Sequence, residues 1–467
     1  MILKNKAEKF YNGYLFPVCI GFIVALCHIY NLLHLGVLLT VLLCGAGFLA
    51  CKDLRFFICP LLCLYFIISV DTLNDESLYG TPSLIFLTVC IFVLLACIAA
   101  HFIIYRKEIS LKSFKESILR NGFILISLLF VANGALSFRI YNATNFIFGI
   151  LIAISFILPF FLFSINLKME KDTADYLIWV LIVVTGVIAA EFINLYINDV
   201  VVTERGVILK GSIILGWGVS NNIGAILAML MPAFFYKTTK SRLSVLYFIG
   251  GITVYFLIIM TLSRAAILFA TACFVCCLAF LCIYKHKSRL IIGALTLVIF
   301  AAAFAIVAYH YESIKLALHQ VISAGFDDSK RLEYYKDGIN KFFEHPILGA
   351  GFGNSHGVNN SFVIEAPQYF HNTIVQVLAS CGILGFIAYA YHRFETVKLL
   401  IKNRNPLSFF IAMMIGTLLL TSLLDIHMFN IFPAFFYSVI LCIFERSSRE
   451  LVSVPADKCK ASETDEK

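Results

Sequence analysis

The chain has 467 residues, of which 61% are hydrophobic, 15% aromatic and only 14% charged. A soluble domain carries roughly a quarter charged residues, so this composition excludes a soluble globular protein and points to an integral membrane one. The net charge of +8 sits mainly in short loops between apolar runs, which marks membrane orientation and argues against nucleic-acid binding.

In chain order, apolar runs of bilayer length fall near 12–31, 33–51, 55–70, 83–105, 121–138, 144–166, 175–197, 213–236, 243–262, 265–284, 290–309, 373–392, 406–424 and 428–444. The expected fold is an all-α integral membrane protein of about fourteen transmembrane helices. Lys4, Lys6 and Lys9 precede the first run, and no small-residue cleavage site follows it, so it reads as a first span and not a removed signal. Basic groups recur in alternate loops: Lys52 with Arg55, the cluster from Arg106 to Arg120, Lys168 with Lys171, Lys237 to Arg242, Lys285 to Arg289, and Arg393 to Arg404. Under the positive-inside rule these loops are cytoplasmic and so are both termini. Residues 1–444 form one polytopic membrane domain, with one large extracytoplasmic loop at 310–371 carrying short helices, and 445–467 is expected to be a disordered cytoplasmic tail.

The fifteen cysteines suggest neither disulfides nor a redox site. Nearly all lie inside apolar runs and none lies in the long polar loop, so they act as small apolar residues at helix contacts. Cys273 and Cys276 have C-x-x-C spacing, but within a span. His345, His356 and His371 lack metal-ligand spacing, so no metal site is expected.

Two outer loops carry the candidate chemistry. The shorter, about 198–211, holds Arg205. The longer has helix-like apolar spacing from Glu312 to Phe343 and carries Arg331; Pro346-Ile-Leu-Gly-Ala-Gly-Phe-Gly-Asn then breaks the helix into turns. The glycines at 349, 351 and 353 follow no strand, so they read as a turn and not a phosphate cradle. Arg264 lies in the tight outer turn Thr261-Leu-Ser-Arg-Ala-Ala, and Arg139 ends a span. A guanidinium stays charged and presents a planar fork to phosphate oxygens; the alternatives are a snorkelling arginine or an ion pair with Glu204, Asp327, Asp328 or Glu333.

His371 opens the next span, with Gly382 and Gly385 about three and four turns deeper on roughly its own face. Small residues there let a neighbouring helix come close and would fix the imidazole at the mouth of a cleft. An imidazole titrating near neutrality can take a proton from a sugar hydroxyl; an interfacial histidine bonded to a backbone carbonyl is the plainer reading. Ser220, Asn221 and Asn222, some ten residues into a span, either line a cavity or bond a partner helix. Glu191, an intramembrane acid, either pairs an arginine or helps deprotonate an acceptor.

Arg205 to Leu209 reads R-x-x-x-L, and His371 to Gly385 reads H-N, nine residues, G-I-L-G. In these elements, in the turn at Arg264, and in the stretches from Arg331 and His345, the chain resembles the O-antigen ligase and O-antigen polymerase family of bacterial envelope glycosyltransferases. It departs at Phe386, where the family's histidine–glycine element ends in Thr or Val. The resemblance spans about 200–445, while the first seven spans match in hydropathy alone. It implies a multi-pass protein of the bacterial cytoplasmic membrane with its active site facing outward. The donor would be an undecaprenyl-pyrophosphate-linked glycan, and the acceptor a glycan, lipid or protein. Arg205 and Arg264, with Arg331, would hold the pyrophosphate, and His371 would activate the acceptor hydroxyl. The polyprenyl pyrophosphate is itself the activated leaving group, so neither nucleotide sugar, metal nor other cofactor is implied. The alternative from another class is a flippase for lipid-linked oligosaccharide, which needs charges along a path reachable from both sides; here the notable charges crowd one face. A peptidoglycan polymerase lacks the motif support.

Overall fold

The computed structural model describes residues 2–67, 81–140, 143–167, 172–202, 208–215, 218–309, 311, 329–351 and 370–453. Its helices are α1 (Ile2–Tyr11), α2 (Leu15–Ile29), α3 (Leu33–Ala50), α4 (Ile58–Ile67), α5 (Thr81–Ile104), α6 (Leu111–Lys115), α7 (Arg120–Ile140), α8 (Ala143–Asn166) and α9 (Thr173–Asn198). After a short β1 (Ile214–Leu215) and β2 (Gly218–Val219) come α10 (Ser220–Lys240), α11 (Ser244–Met260), α12 (Arg264–Ile283), α13 (Arg289–Tyr309), α14 (Ser329–Glu344), α15 (Thr373–Lys402), α16 (Pro406–Thr421) and α17 (Ile431–Ser453). A helix stands at the centre of every expected span. Among the described residues seven helices are long and apolar enough to cross a membrane, and six more are shorter apolar helices. The protein is therefore an α-helical membrane protein.

Helix α10 is the hub. It packs against α9, α11, α12 and α16, and nearly every residue from Ile223 to Tyr236 is buried. A helix apolar all round belongs inside a bundle. By contrast α5 and α13 leave long apolar side chains such as Ile103, Leu290 and Leu297 exposed, as a lipid-facing surface would.

Two features differ from the expectation for uninterrupted spans. The eighth span, placed at 213–236, begins as a small antiparallel ladder that pairs Ile214 with Val219 and Leu215 with Gly218. The β-branched residues around Gly218 favour extended backbone there, and glycine is costly inside a helix. The helix proper starts at Ser220, so Asn221 and Asn222 stand in its first turn and not ten residues down a span.

The second difference is in α15. Its helix is interrupted at Gly382, with φ +63° and ψ −164°, a conformation that glycine adopts without the penalty of a Cβ. A helix break leaves amide and carbonyl groups without partners, and the loop segment Pro346–Gly351 supplies them. Ala350 N–H donates to the Ala379 carbonyl (2.8 Å), Gly351 N–H to Ser380 (3.0 Å), and Ile383 N–H donates to Pro346 (2.8 Å). A Cβ on Gly382 would lie 2.4 Å from the Ile347 carbonyl oxygen. The glycine therefore does not receive a neighbouring helix, as the spacing suggested; it receives a re-entrant turn. Non-helical backbone at this depth, roughly 14 Å along the axis from Thr373, is tolerated because protein covers it. Gly385 does face a helix, since its Cβ would lie 3.0 Å from Leu129 of α7.

The last helix also runs further than expected. It continues through Glu445 to Ser453 because its polar residues find partners: Glu445 accepts from Ser117 Oγ and Ile118 N–H, and Arg446 donates to the Phe163 carbonyl at 3.0 Å.

Candidate functional site

A cavity of about 640 Å³ lies where α10, α12, α14 and the turn between α16 and α17 meet. Arg264 is the first residue of α12, and Arg331 is the third residue of α14. Both line the cavity. Asn221, in the first turn of α10, lines it too, and His371 immediately precedes Asn372, the N-cap of α15. Three helix N-termini, those of α10, α12 and α14, thus line one cavity, each carrying the positive end of a helix dipole. Cations in a first helical turn oppose that dipole by about 0.3–1 kcal/mol each. Keeping two arginines in such positions makes physical sense where an anion completes the charge.

Close packing sets Arg264 in place. Gly224 on α10 lies against the α11–α12 turn, where a Cβ would come within 2.7 Å of the Ala266 Cβ and 2.8 Å of Thr261 Oγ1. Leu262 takes a left-handed φ of 55°, and Ser263 caps α12 through Ala266 N–H. The guanidinium of Arg264 is exposed and has no hydrogen-bond or ion-pair partner among the described residues. Arg331 donates to the Leu424 carbonyl at 3.2 Å, which ties α14 to the α16–α17 turn.

The backbone of His371 has a φ of 49°, an uncommon conformation for a residue with a Cβ. Three contacts hold it. Tyr335 Oη donates to the His371 carbonyl at 3.3 Å. Asn372 accepts from Ile374 and Val375 N–H and donates to the Leu423 carbonyl. Thr373 N–H donates to the Ser422 carbonyl. The imidazole is about one-third exposed, and its Nδ1 lies 3.4 Å from Asp425 Oδ1. Asp425 lines the cavity. Burial works against its charged form, but His371, His427 and the Ile426 N–H outweigh burial and hold the carboxyl well below the usual carboxylate range. His427, whose Nδ1 is 2.9 Å from Asn222 Oδ1, is pushed toward its neutral form by burial, against the pull of Asp425.

Of the residues singled out in the sequence, Arg264, Arg331 and Asn221 therefore share one cavity, with His371 joined to its wall through Asp425 and Asn222 joined through His427. Glu191 is elsewhere: it is fully buried in α9, 4.0 Å from His28 of α2, and is not among the residues lining the cavity. Arg205 falls outside the described residues, although its flanks Val202 and Ile208 pair as an antiparallel bridge. Among the described residues no group of three or more His, Cys, Asp or Glu side chains is placed to hold a metal ion.

Lys210, Tyr335, Asp425 and His427 were not singled out from the sequence. A signal for two of them was present: Asp425-Ile-His427 sets two titratable groups in a turn between two apolar runs, where such groups are costly.

Residues 248–390 match the family described as O-antigen ligase. The stretch contains Arg264, Arg331 and His371, so the resemblance carried by these residues is borne out there; Arg205, Lys210 and Asp425 lie outside it. No curated protein matches the chain with significance.

Proposed function

We propose that the protein is a membrane glycan ligase or polymerase, a reading supported by the match of residues 248–390 to the O-antigen ligase family, and that this site performs the chemistry described below. The protein transfers a glycan from an undecaprenyl-pyrophosphate-linked donor to an acceptor hydroxyl on the outer face of the bacterial cytoplasmic membrane. The observation that carries this reading is the shared cavity: two arginines at helix N-termini, beside a histidine–carboxylate pair.

Arg264 and Arg331, with Arg205 from the neighbouring loop, bind the donor pyrophosphate. Asp425 at Nδ1 holds the His371 tautomer in which Nδ1 carries the proton, leaving the Nε2 lone pair for the acceptor. As the acceptor oxygen attacks the anomeric carbon, its proton passes to Nε2. The bond from that carbon to the pyrophosphate oxygen breaks, and its electron pair leaves with the pyrophosphate. Charge grows on those oxygens in the transition state, where fixed guanidinium groups stabilise it most. Asp425 then stabilises the imidazolium. This reading goes with about fourteen crossings and both termini in the cytoplasm, which the alternation of basic loops supports.

A defined lipid-linked repeat unit supplied to the purified protein tests the reading. Extended or capped glycan should appear with the wild type and vanish with His371→Ala. Wild-type transfer by a folded His371→Ala variant would overturn the assignment. Whether a ladder of lengths or a single product forms separates polymerase from ligase.

A further inference from the structure

The cavity holds a third cation, Lys210, contributed by the segment between the R-x-x-x-L element and α10. Its Nζ donates to Asn221 Oδ1 at 2.9 Å. Asn221 Nδ2 donates in turn to Asp425 Oδ2 at 3.0 Å, and the other oxygen of Asp425 faces His371 Nδ1 at 3.4 Å. A primary amide is suited to the middle place, because its oxygen accepts from an ammonium while its nitrogen donates to a carboxylate. The ammonium is thereby tied to the α10 N-terminus, although it ends a flexible four-carbon stem.

The electrostatics of the wall give this arrangement a purpose. Asp425 is the only acid among the described residues lining the cavity, and its charge opposes a diphosphate that must bind nearby. A cation one amide away offsets that opposition without moving the carboxylate off His371. We propose that Lys210 is a further binding residue for the donor's phosphate oxygens, and that the chain Lys210–Asn221–Asp425–His371 links donor binding to the orientation of the base. This deepens the function proposed above and rests on it.

Undecaprenyl diphosphate without a glycan is the probe, with the full-length protein and a folding check by thermal unfolding. Lys210→Met should weaken its binding by about tenfold or more, the size of one charge-assisted contact. Lys210→Gln should behave the same way, and Lys210→Arg should recover most of the loss. The affinity of the Met variant should also fall less steeply with added salt. Asn221→Ala should weaken binding of the probe and, with the glycan-bearing lipid-linked donor, lower kcat as well. If Lys210→Met and Lys210→Gln bind the probe like the wild type, Lys210 is no ligand and the inference falls while the transferase reading stands. An Asn221→Ala variant with unchanged kcat removes the link to the base. A wild type with no affinity for the probe overturns the transferase reading itself.

Discussion

Asp425 Oδ1 lies 3.4 Å from His371 Nδ1, and the two residues come from turns at the ends of different helices. The turns are held to each other by backbone: Thr373 N–H donates to the Ser422 carbonyl, and the Asn372 side chain donates to the Leu423 carbonyl. The pair is therefore a built contact of the bundle end and not an accident of two mobile loops. Asp425→Asn keeps the size of the side chain but lets it present an amide N–H to Nδ1. That favours the wrong tautomer, with the proton on Nε2. Glycan transfer should fall by at least about 100-fold with donor binding largely retained, as steady-state kinetics with the lipid-linked donor would measure. Transfer within threefold of wild type would mean that Asp425 does not orient the base.

Arg264 opposes a helix dipole and has no partner among the described residues. Arg264→Ala should therefore leave the ligand-free protein as stable as the wild type or more so, by about 0.3–1 kcal/mol. The same variant should lose most of the rise in Tm that undecaprenyl diphosphate gives the wild type. Thermal unfolding with and without that lipid reads both effects; a destabilised apo variant with a full ligand shift contradicts the assignment.

Gly382→Ala forces a Cβ into backbone at φ +63°, 2.4 Å from the Ile347 carbonyl oxygen. The re-entrant turn must then separate from α15, at a cost on the order of 1–3 kcal/mol. Tm should drop and transfer should fall with it. Gly186 on α9 has open space where its Cβ would stand, so Gly186→Ala is the control and should leave transfer unchanged and Tm unchanged or slightly raised. Equal behaviour of the two variants would show that the break is not needed.

Gly224→Ala tests the seat of Arg264. The new methyl group would press on Thr261 and Ala266, shifting the turn that begins α12. The expected result is a rise in KM for the donor of about tenfold, with a smaller change in kcat. A change confined to kcat would place the effect at His371 instead.

Much of this architecture was legible in the sequence, because apolar runs of bilayer length need no partner to be recognised. Arg264 could be found as a cation in a turn with little else polar, and His371 from its spacing to Gly382 and Gly385. The role of Gly382 could not be read. Periodicity treats a span as continuous, and only the distant segment Pro346–Gly351 makes a break there affordable in hydrogen bonds. Asp425 escaped for a related reason: with His427 it stands out as a costly group in a short turn, but its partner His371 is known only once that turn is bonded to the start of α15. Glu191 shows the opposite case, since an intramembrane acid drew attention while its neighbour across the bundle, His28, lay far away in sequence.

The stitching of the Pro346–Gly351 turn to α15 has a mechanical consequence. Arg331 and His371 ride on one stiff block, joined at the helix break and again where Tyr335 meets the His371 carbonyl. Arg264 stands outside that block, on α12. The spacing from Arg331 to the imidazole is therefore set by backbone bonds within one unit, while that from Arg264 to the imidazole is set by side-chain packing between helices.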